Sequence, residues 1–103
     1  MARVSIRPRA RRDLREILTY YIETAGVETA RRFRAAATQT FSELAEFPLQ
    51  GAPGKVRLPE FRDIRMWRVR GFEMYLIFYF PRPDGIAVER VIHAARDYRR
   101  FLK

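Results

Sequence analysis

The sequence contains no cysteine and one histidine, and these shortages exclude several kinds of site. Without cysteine there is no disulfide framework, no thiol nucleophile and no cysteine-ligated zinc or iron–sulfur centre. A single histidine disfavours a histidine-based metal site, although carboxylates remain available to Mg²⁺. Lysine, the cation whose pKa is readily tuned for general-base catalysis, occurs only at Lys55 and Lys103. We therefore expect no cofactor and no metal.

Long hydrophobic runs are also missing. The longest apolar run covers residues 74–80, whereas a membrane-spanning helix needs roughly 20 apolar residues. Arginines occur near the N-terminus, but no apolar stretch follows them, so residues 1–15 do not have the pattern of a signal peptide. The expected location is the cytoplasm, without a membrane contact.

Arginine is abundant and dominates the charge. Two lysines among 21 basic residues leave nineteen arginines, and the net charge is +9 over 103 residues. The length and the 48% hydrophobic content predict a single domain over residues 1–103. Positive charge is concentrated in residues 1–15, 55–70 and 89–103, with net charges of +5, +4 and +3. If these segments meet in space they form one basic face, and otherwise they are a scattered solvated surface.

The order of patterns along the chain predicts an α+β fold. Alternation over residues 2–6 indicates a first strand, and helical spacing then predicts one helix from Pro8 to Gly26 and a second from Val27 to Pro48. A loop is expected over residues 50–54. The remaining elements are strands over 64–69, 74–80 and 86–92 and a short helix or tail over 97–102. We expect a helical hairpin on one face of a small antiparallel sheet, with the first strand at its edge and 74–80 in its centre. Imperfect alternation over 64–69 indicates a bulge or burial on both faces.

An ordered set of residues along the chain carries a resemblance to a known family. The set is Ala10 with Asp13-Leu14, Tyr20-Tyr21, Gly26, Ala30, Phe33, Phe47-Pro48 with Gly51, Gly71-Phe72, and the segments 75–79 and 90–97. It resembles the RelE/ParE toxins of bacterial type II toxin–antitoxin systems, and the ParE branch more than the RelE branch. The resemblance covers nearly the whole chain and implies the RelE/ParE-like β-α-α-β-β-β fold.

The resemblance implies a small toxin in a hetero-oligomer with its cognate antitoxin. Such an antitoxin is ParD-like, with a ribbon-helix-helix N-terminus and an acidic, partly disordered C-terminal segment. A toxin of net charge +9 suits that partner, because opposite charges speed the encounter. ParE-like toxins inhibit DNA gyrase as binding proteins, whereas RelE-like toxins cleave mRNA on the ribosome.

The two branches predict different roles for the same residues. An endonuclease needs cations, a base and an acid, and the residues we would test for it are Arg65, His93 and Tyr98. The candidates are Arg65, Arg68, Arg70, Arg90 and Arg96 as cations, Glu60, Glu73, Glu89, Asp97 or His93 as base, and His93 or Tyr98 as acid. RelE-like sites, however, use closely spaced lysines, and here Ala94 follows His93 where another branch has an aromatic residue. We therefore expect no catalytic residues, and a structural role for His93 at a strand end, where it bonds the backbone or Asp97.

The expected gyrase-contacting residues lie on the basic sheet surface and the tail: Arg65, Arg68, Arg90, Arg96 and Tyr98. A third hypothesis, from another class, is a non-toxic basic nucleic-acid-binding domain. It predicts binding that depends steeply on salt and has no effect on growth.

Overall fold

Two long helices follow a short first strand, and four further strands complete the fold in the computed structural model, which describes residues 2–56 and 58–96. The main elements are β1 (Arg3–Ile6), α1 (Pro8–Ala25), α2 (Val27–Glu46), β2 (Ala52–Pro53), β3 (Arg65–Val69), β4 (Phe72–Arg82) and β5 (Gly85–His93). The predicted α+β class is confirmed. The expected helix or tail over 97–102 lies outside the described residues. Among those described, neither helix is long and apolar enough to cross a bilayer.

The helical hairpin begins and ends where its punctuating residues predict. Pro8 is the first residue of α1, where its missing N–H leaves no hydrogen bond unmade. Gly26 ends α1 with a φ of 96°, and its N–H donates to the carbonyl oxygen of Tyr21 at 2.9 Å. Only this residue separates α1 from α2, so the two helices reverse direction over a single glycine. The buried side chains of Ala30 and Ala37 are small, which allows close packing against the inner face of α2.

The five strands lie in the order β1-β5-β4-β3-β2. As predicted, β3, β4 and β5 form an antiparallel meander with β4 in the centre, and β1 is an edge strand. However, β1 pairs with β5 in parallel, so the sheet is mixed rather than wholly antiparallel. The reason is the connection between the two strands: the helical hairpin and strands β2, β3 and β4 separate β1 from β5 in the chain. They return the chain to the end of the sheet at which β1 starts, so β5 runs in the same direction as β1.

Strand β2 corrects the prediction of an irregular loop over residues 50–54, because it pairs antiparallel with the start of β3. A strand of two residues has no periodicity that a sequence could reveal. Hydrogen bonds on either side hold it in place: the N–H of Gly51 donates to the Tyr79 hydroxyl at 3.0 Å, and the N–H of Gly54 donates to the carbonyl oxygen of Ile64 at 2.9 Å.

Both faces of the sheet are buried, which explains the nearly continuous apolar sequence of β4. Tyr75, Ile77 and Tyr79 join the core beneath the helices. The residues between them, including Leu76 and Phe78, join a second core that the loop before β3 covers. The predicted irregularity of β3 is confirmed as a register shift between its last two residues, combined with this two-sided burial.

Candidate functional site

The three basic segments of the sequence lie at two different sides of the sheet. Residues 1–15 form β1 and the start of α1, which adjoin β5, whereas residues 55–70 end in β3. With strands about 4.8 Å apart, β5 and β4 separate the backbones of β1 and β3 by about 14 Å. Among the described residues, the two chain ends therefore share a side of the sheet, and the central basic segment stands apart from them.

Arg65 contacts the segment that precedes β2. Its Nη1 donates to the carbonyl oxygens of Leu49 and Gly51, at 3.1 and 2.6 Å. The buried Tyr79 hydroxyl completes the arrangement by donating to the carbonyl oxygen of Pro48 at 2.7 Å. Burial raises the pKa of Tyr79, against the lowering effect of the Gly51 N–H, so this hydroxyl stays protonated and can keep donating. Arg65 is thus engaged in holding a loop in place.

Arg68 and Trp67 line a shallow depression at the outer edge of β3. The Nη1 of Arg68 donates to the carbonyl oxygen of Glu73 at 2.7 Å, and its side chain is exposed. The depression has a volume of about 440 Å³. Its lining is Gln50, Ala52, Met66, Trp67, Arg68, Arg70 and Glu73. We call it the β3-edge depression. It combines exposed apolar surface with arginine, which suits contact with a protein.

Arg90, predicted to contact a target, is instead in the interior. Its Nε and Nη2 donate to the two carboxylate oxygens of Asp13 on α1, at 2.7 and 2.9 Å. Both side chains are about nine-tenths buried. The bidentate geometry satisfies a guanidinium and a carboxylate together, which is what burial of two charges requires. A role for Arg90 on an exposed contact surface is therefore not supported by its position.

Asp13 also completes the edge of the sheet where β1 ends. Just after β1, the N–H of Arg7 donates to the carbonyl oxygen of Val88 on β5 at 3.0 Å. Further along β5, the N–H of Val91 donates to Asp13 Oδ2 at 2.9 Å. The carboxylate thus occupies the place of a strand for this donor. A register shift in β5 next to Arg90 lets the guanidinium reach the same acid.

His93 ends β5 beside a groove between that strand and α1. Its Nδ1 accepts a hydrogen bond from the N–H of Ala95 at 3.0 Å, and its ring lies 5.0 Å from the ring of Tyr75, perpendicular to it. The backbone bond expected for His93 is present, whereas Asp97, the other expected partner, lies outside the described residues. The N–H of Arg96 donates to the carbonyl oxygen of His93 at 3.0 Å, so the turn after β5 is tightly bonded.

The groove has a volume of about 280 Å³. We call it the α1–β5 groove, and its lining is Asp13, Glu16, Ile17, Tyr20, Tyr75, Arg90, Val91, Ile92, His93 and Arg96. Burial, together with a hydrogen bond to Tyr21, raises the pKa of Tyr75 well above its usual value, so its hydroxyl is not poised to exchange a proton near neutral pH.

Arg65 and His93, two of the residues to be tested for an endonuclease, are not brought together. On β4, Arg65 pairs with Tyr79 and His93 pairs with Tyr75, from opposite sides of that strand. Four residues of strand correspond to about 13 Å along β4, in addition to the two strand spacings across it. Tyr98, the third residue of that prediction, lies outside the described residues. Among the described residues, no three acidic or histidine side chains cluster in a way that could hold a metal ion.

Sequence reasoning did not single out Glu16 and Tyr20 as groove residues. Tyr20 does carry a signal, because the apolar stripe of α1 passes through Ile17 and Tyr21 and leaves Tyr20 outside it, where it is 56% exposed. No local signal marks the groove as a whole, because its two walls come from opposite ends of the chain.

A family model of the ParE toxin of the parDE type II toxin–antitoxin system matches residues 4–98. The chain belongs to the ParE toxin family. Its fold is similar to a solved structure described as the chromosomal ParDE toxin–antitoxin system from P. aeruginosa, with a TM-score of 0.71. That similarity covers 90% of this chain and 96% of the other at 18% identity, and it shows the shared fold. No curated protein sequence matches the chain significantly. The resemblance to the ParE branch is thus confirmed.

Proposed function

We propose that this ParE family member inhibits DNA gyrase by binding it, in the cytoplasm, and that a cognate acidic antitoxin neutralises it. The observation that carries the proposal is the family match over residues 4–98, nearly the whole chain. The side-chain geometry supports binding rather than catalysis. Arg65 is engaged with loop carbonyls and Arg90 with Asp13, so two of the cations that RNA cleavage would use already have other roles.

The proposed gyrase contact uses Arg68, Arg96 and the C-terminal residues that include Tyr98. Arg68 and Arg96 are both exposed. We retain Arg65 only as a support, since it positions the loop next to the β3-edge depression. Arg90 is left out because its guanidinium is buried against Asp13. A chain that ends at Asp97 should therefore lose toxicity while it still binds the antitoxin.

The proposed antitoxin contact is the β3-edge depression and the segment before β2. Phe47 and Leu49 in that segment are 70% and 68% exposed, and Trp67 stands on the neighbouring strand. Exposed apolar side chains beside Arg68 and Arg70 suit an acidic segment that also carries apolar residues. Trp67 is the sole tryptophan, so its fluorescence reports directly on whether this surface becomes covered.

The decisive experiment is induced expression without antitoxin, with DNA and protein synthesis measured separately. We expect DNA synthesis to fall first, with filamenting cells, and we expect the purified chain to inhibit supercoiling by gyrase. The double variant Arg68→Ala/Arg96→Ala should weaken both effects at least tenfold. The matched control Arg31→Ala/Arg34→Ala removes the same charge from the exposed face of α2 and should change them little.

Two other results would replace the proposal. If translation falls first and mRNA is cut, the protein is an endonuclease, and Arg65, His93 and Tyr98 become the residues to test. If neither synthesis rate changes, the chain is a non-toxic binding domain. Antitoxin binding is tested separately with the product of the adjacent gene: a blue shift of Trp67 fluorescence supports the proposed surface, and binding without any spectral change places the antitoxin elsewhere.

A further inference from the structure

The first two turns of α1 present a group of exposed arginines to solvent: Arg11, Arg12 and Arg15, here called the α1 arginine face. Arg15 is three residues from Arg12 and four from Arg11, so the three side chains are neighbours on the helix surface. None of the described carboxylates forms an ion pair with any of them. Arg7 contrasts with them, because its Nε lies 3.0 Å from Oε1 of the mostly buried Glu89. The positive charge of the α1 arginine face is therefore not compensated by a described carboxylate and is available to an outside partner.

The N-terminal half of α1 is electrostatically unfavourable for the protein alone. The N-terminal end of a helix carries partial positive charge, which favours acidic side chains and disfavours cations. The first turn of α1 has no acidic residue and no side-chain cap. Like charges three and four residues apart repel as well. An anion bound between the guanidinium groups would relieve this repulsion.

The chemistry of the face fits phosphate better than a protein partner. Protein interfaces are built around an apolar centre, and no large apolar side chain is exposed between Arg7 and Thr19. The exposed apolar residues of α1, Tyr20 and Ile22, lie five or more residues beyond Arg15, and Phe47, Leu49 and Trp67 belong to other elements. Guanidinium groups bind phosphate oxygens in pairs, with a geometry that a lysine ammonium lacks.

Duplex DNA suits the face better than single-stranded nucleic acid. Proteins that hold single strands stack bases on aromatic side chains, and no aromatic residue precedes Tyr20 in the sequence. Duplex DNA offers one phosphate charge per about 1.7 Å of axis, the density that a compact arginine cluster can exploit. The protein has no asparagine, and its glutamines, Gln39 and Gln50, lie outside α1, so amide side chains that read adenine are missing from the face.

We propose that the α1 arginine face binds the phosphate backbone of duplex DNA without sequence preference. The α1 arginine face shares no residue with the proposed contacts through Arg68 and Arg96. Arg68 is on β3, on the far side of the sheet from β1 and α1, whereas Arg96 follows β5 and lines the α1–β5 groove. The inference is therefore independent of the gyrase proposal. If both hold, the toxin would contact DNA through α1 while other residues contact its protein target.

The test measures binding of the full chain to a fluorescent 20-base-pair duplex by anisotropy, over a series of salt concentrations and without gyrase. The triple variant Arg11→Gln/Arg12→Gln/Arg15→Gln is compared with Arg31→Gln/Arg32→Gln/Arg34→Gln, which removes the same charge from exposed positions on α2. We expect the α1 variant to bind at least about tenfold more weakly at 0.1 M salt. The slope of log Kobs against log salt should become shallower by about 2–3, because three phosphate contacts are lost. The α2 variant should lose less than about threefold.

Several outcomes would overturn the inference. Equal losses in both variants would mean that net charge alone attracts DNA. Tighter binding to a single strand or to an RNA hairpin of the same length would mean that the face serves another nucleic acid. Unchanged DNA binding by the α1 variant, combined with loss of binding to a polyglutamate peptide, would make the face a docking surface for acidic protein. Because all six arginines are exposed, circular dichroism should show both variants folded, so any loss of binding reports on the surface.

Discussion

Replacing Arg90 by alanine is the most informative single change, because the sequence and the structure give this residue different roles. In the structure its guanidinium makes two bonds to Asp13, and both groups are about nine-tenths buried. The variant would leave the Asp13 carboxylate with the N–H of Val91 as its remaining partner among these bonds. Loss of one member of a buried pair costs about 3–5 kcal/mol. A domain of this size has about 5–15 kcal/mol in total.

We therefore expect Arg90→Ala to lose at least about a fifth of the free energy of unfolding. At 4–8 °C per kcal/mol, the melting temperature should fall by at least about 12 °C. Urea unfolding followed by circular dichroism and by Trp67 fluorescence measures the change. The control Arg31→Ala removes an exposed arginine that lies 3.8 Å from Glu28, and it should change stability by less than about 1 kcal/mol.

A double variant shows whether the loss comes from the stranded carboxylate. Asp13→Asn/Arg90→Gln replaces both charges by amides that can still bond each other and the backbone. It should be more stable than either Asp13→Asn or Arg90→Ala. If Arg90→Ala instead unfolds like the parent protein but no longer inhibits gyrase, then the side chain contacts the target and the buried pair does not exist in solution.

Three further predictions concern the rest of the sheet. Tyr79→Phe removes both bonds of the hydroxyl to the loop before β2, so unfolding in urea should require about 1–3 kcal/mol less, and an unchanged midpoint would refute that role. Burial raises the pKa of Tyr79 and Tyr75 in the folded protein, so above pH 10 the unfolded state loses these protons first. Stability should therefore fall with rising pH, and less steeply in Tyr79→Phe, which thermal melts at successive pH values would show. A Cβ at Gly85, where φ is 154°, would collide with the backbone of β1, whereas one at Gly71, with φ 86°, meets nothing within 4 Å. Gly85→Ala should therefore lower the melting temperature more than Gly71→Ala, and equal effects would contradict the close approach of Gly85 to β1.

The helical hairpin could be predicted well because its signals are local. Pro8, Gly26 and Pro48 act through their own backbone restrictions, and those restrictions hold in any context. The apolar stripes between them then fix which face of each helix is buried. The central place of β4 follows for the same reason, since a nearly continuous apolar run suits only a strand that is covered on both faces.

The site was less predictable because its groups come from distant parts of the chain. Asp13 and Arg90 are 77 residues apart, and each looks like an ordinary surface charge in its own segment. Arg65 is similar: only the fold shows that its guanidinium faces the carbonyl oxygens of Leu49 and Gly51. Strand β2 has only two residues and is defined by its pairing with β3, so no pattern within it could predict a strand.

The sequence by itself determined the helices, the order of the long strands, the excess of positive charge and the membership of the ParE family. The first three follow from backbone restrictions, periodicity and composition, and the last from the family match over residues 4–98; none of them requires knowledge of which distant residues are in contact. Only the tertiary structure decided which arginines are exposed, that Arg90 is buried against Asp13, and that Arg65 and His93 lie apart. The physical reason is that a charge in the interior needs an opposite charge beside it, and the fold, not the neighbouring sequence, supplies that partner.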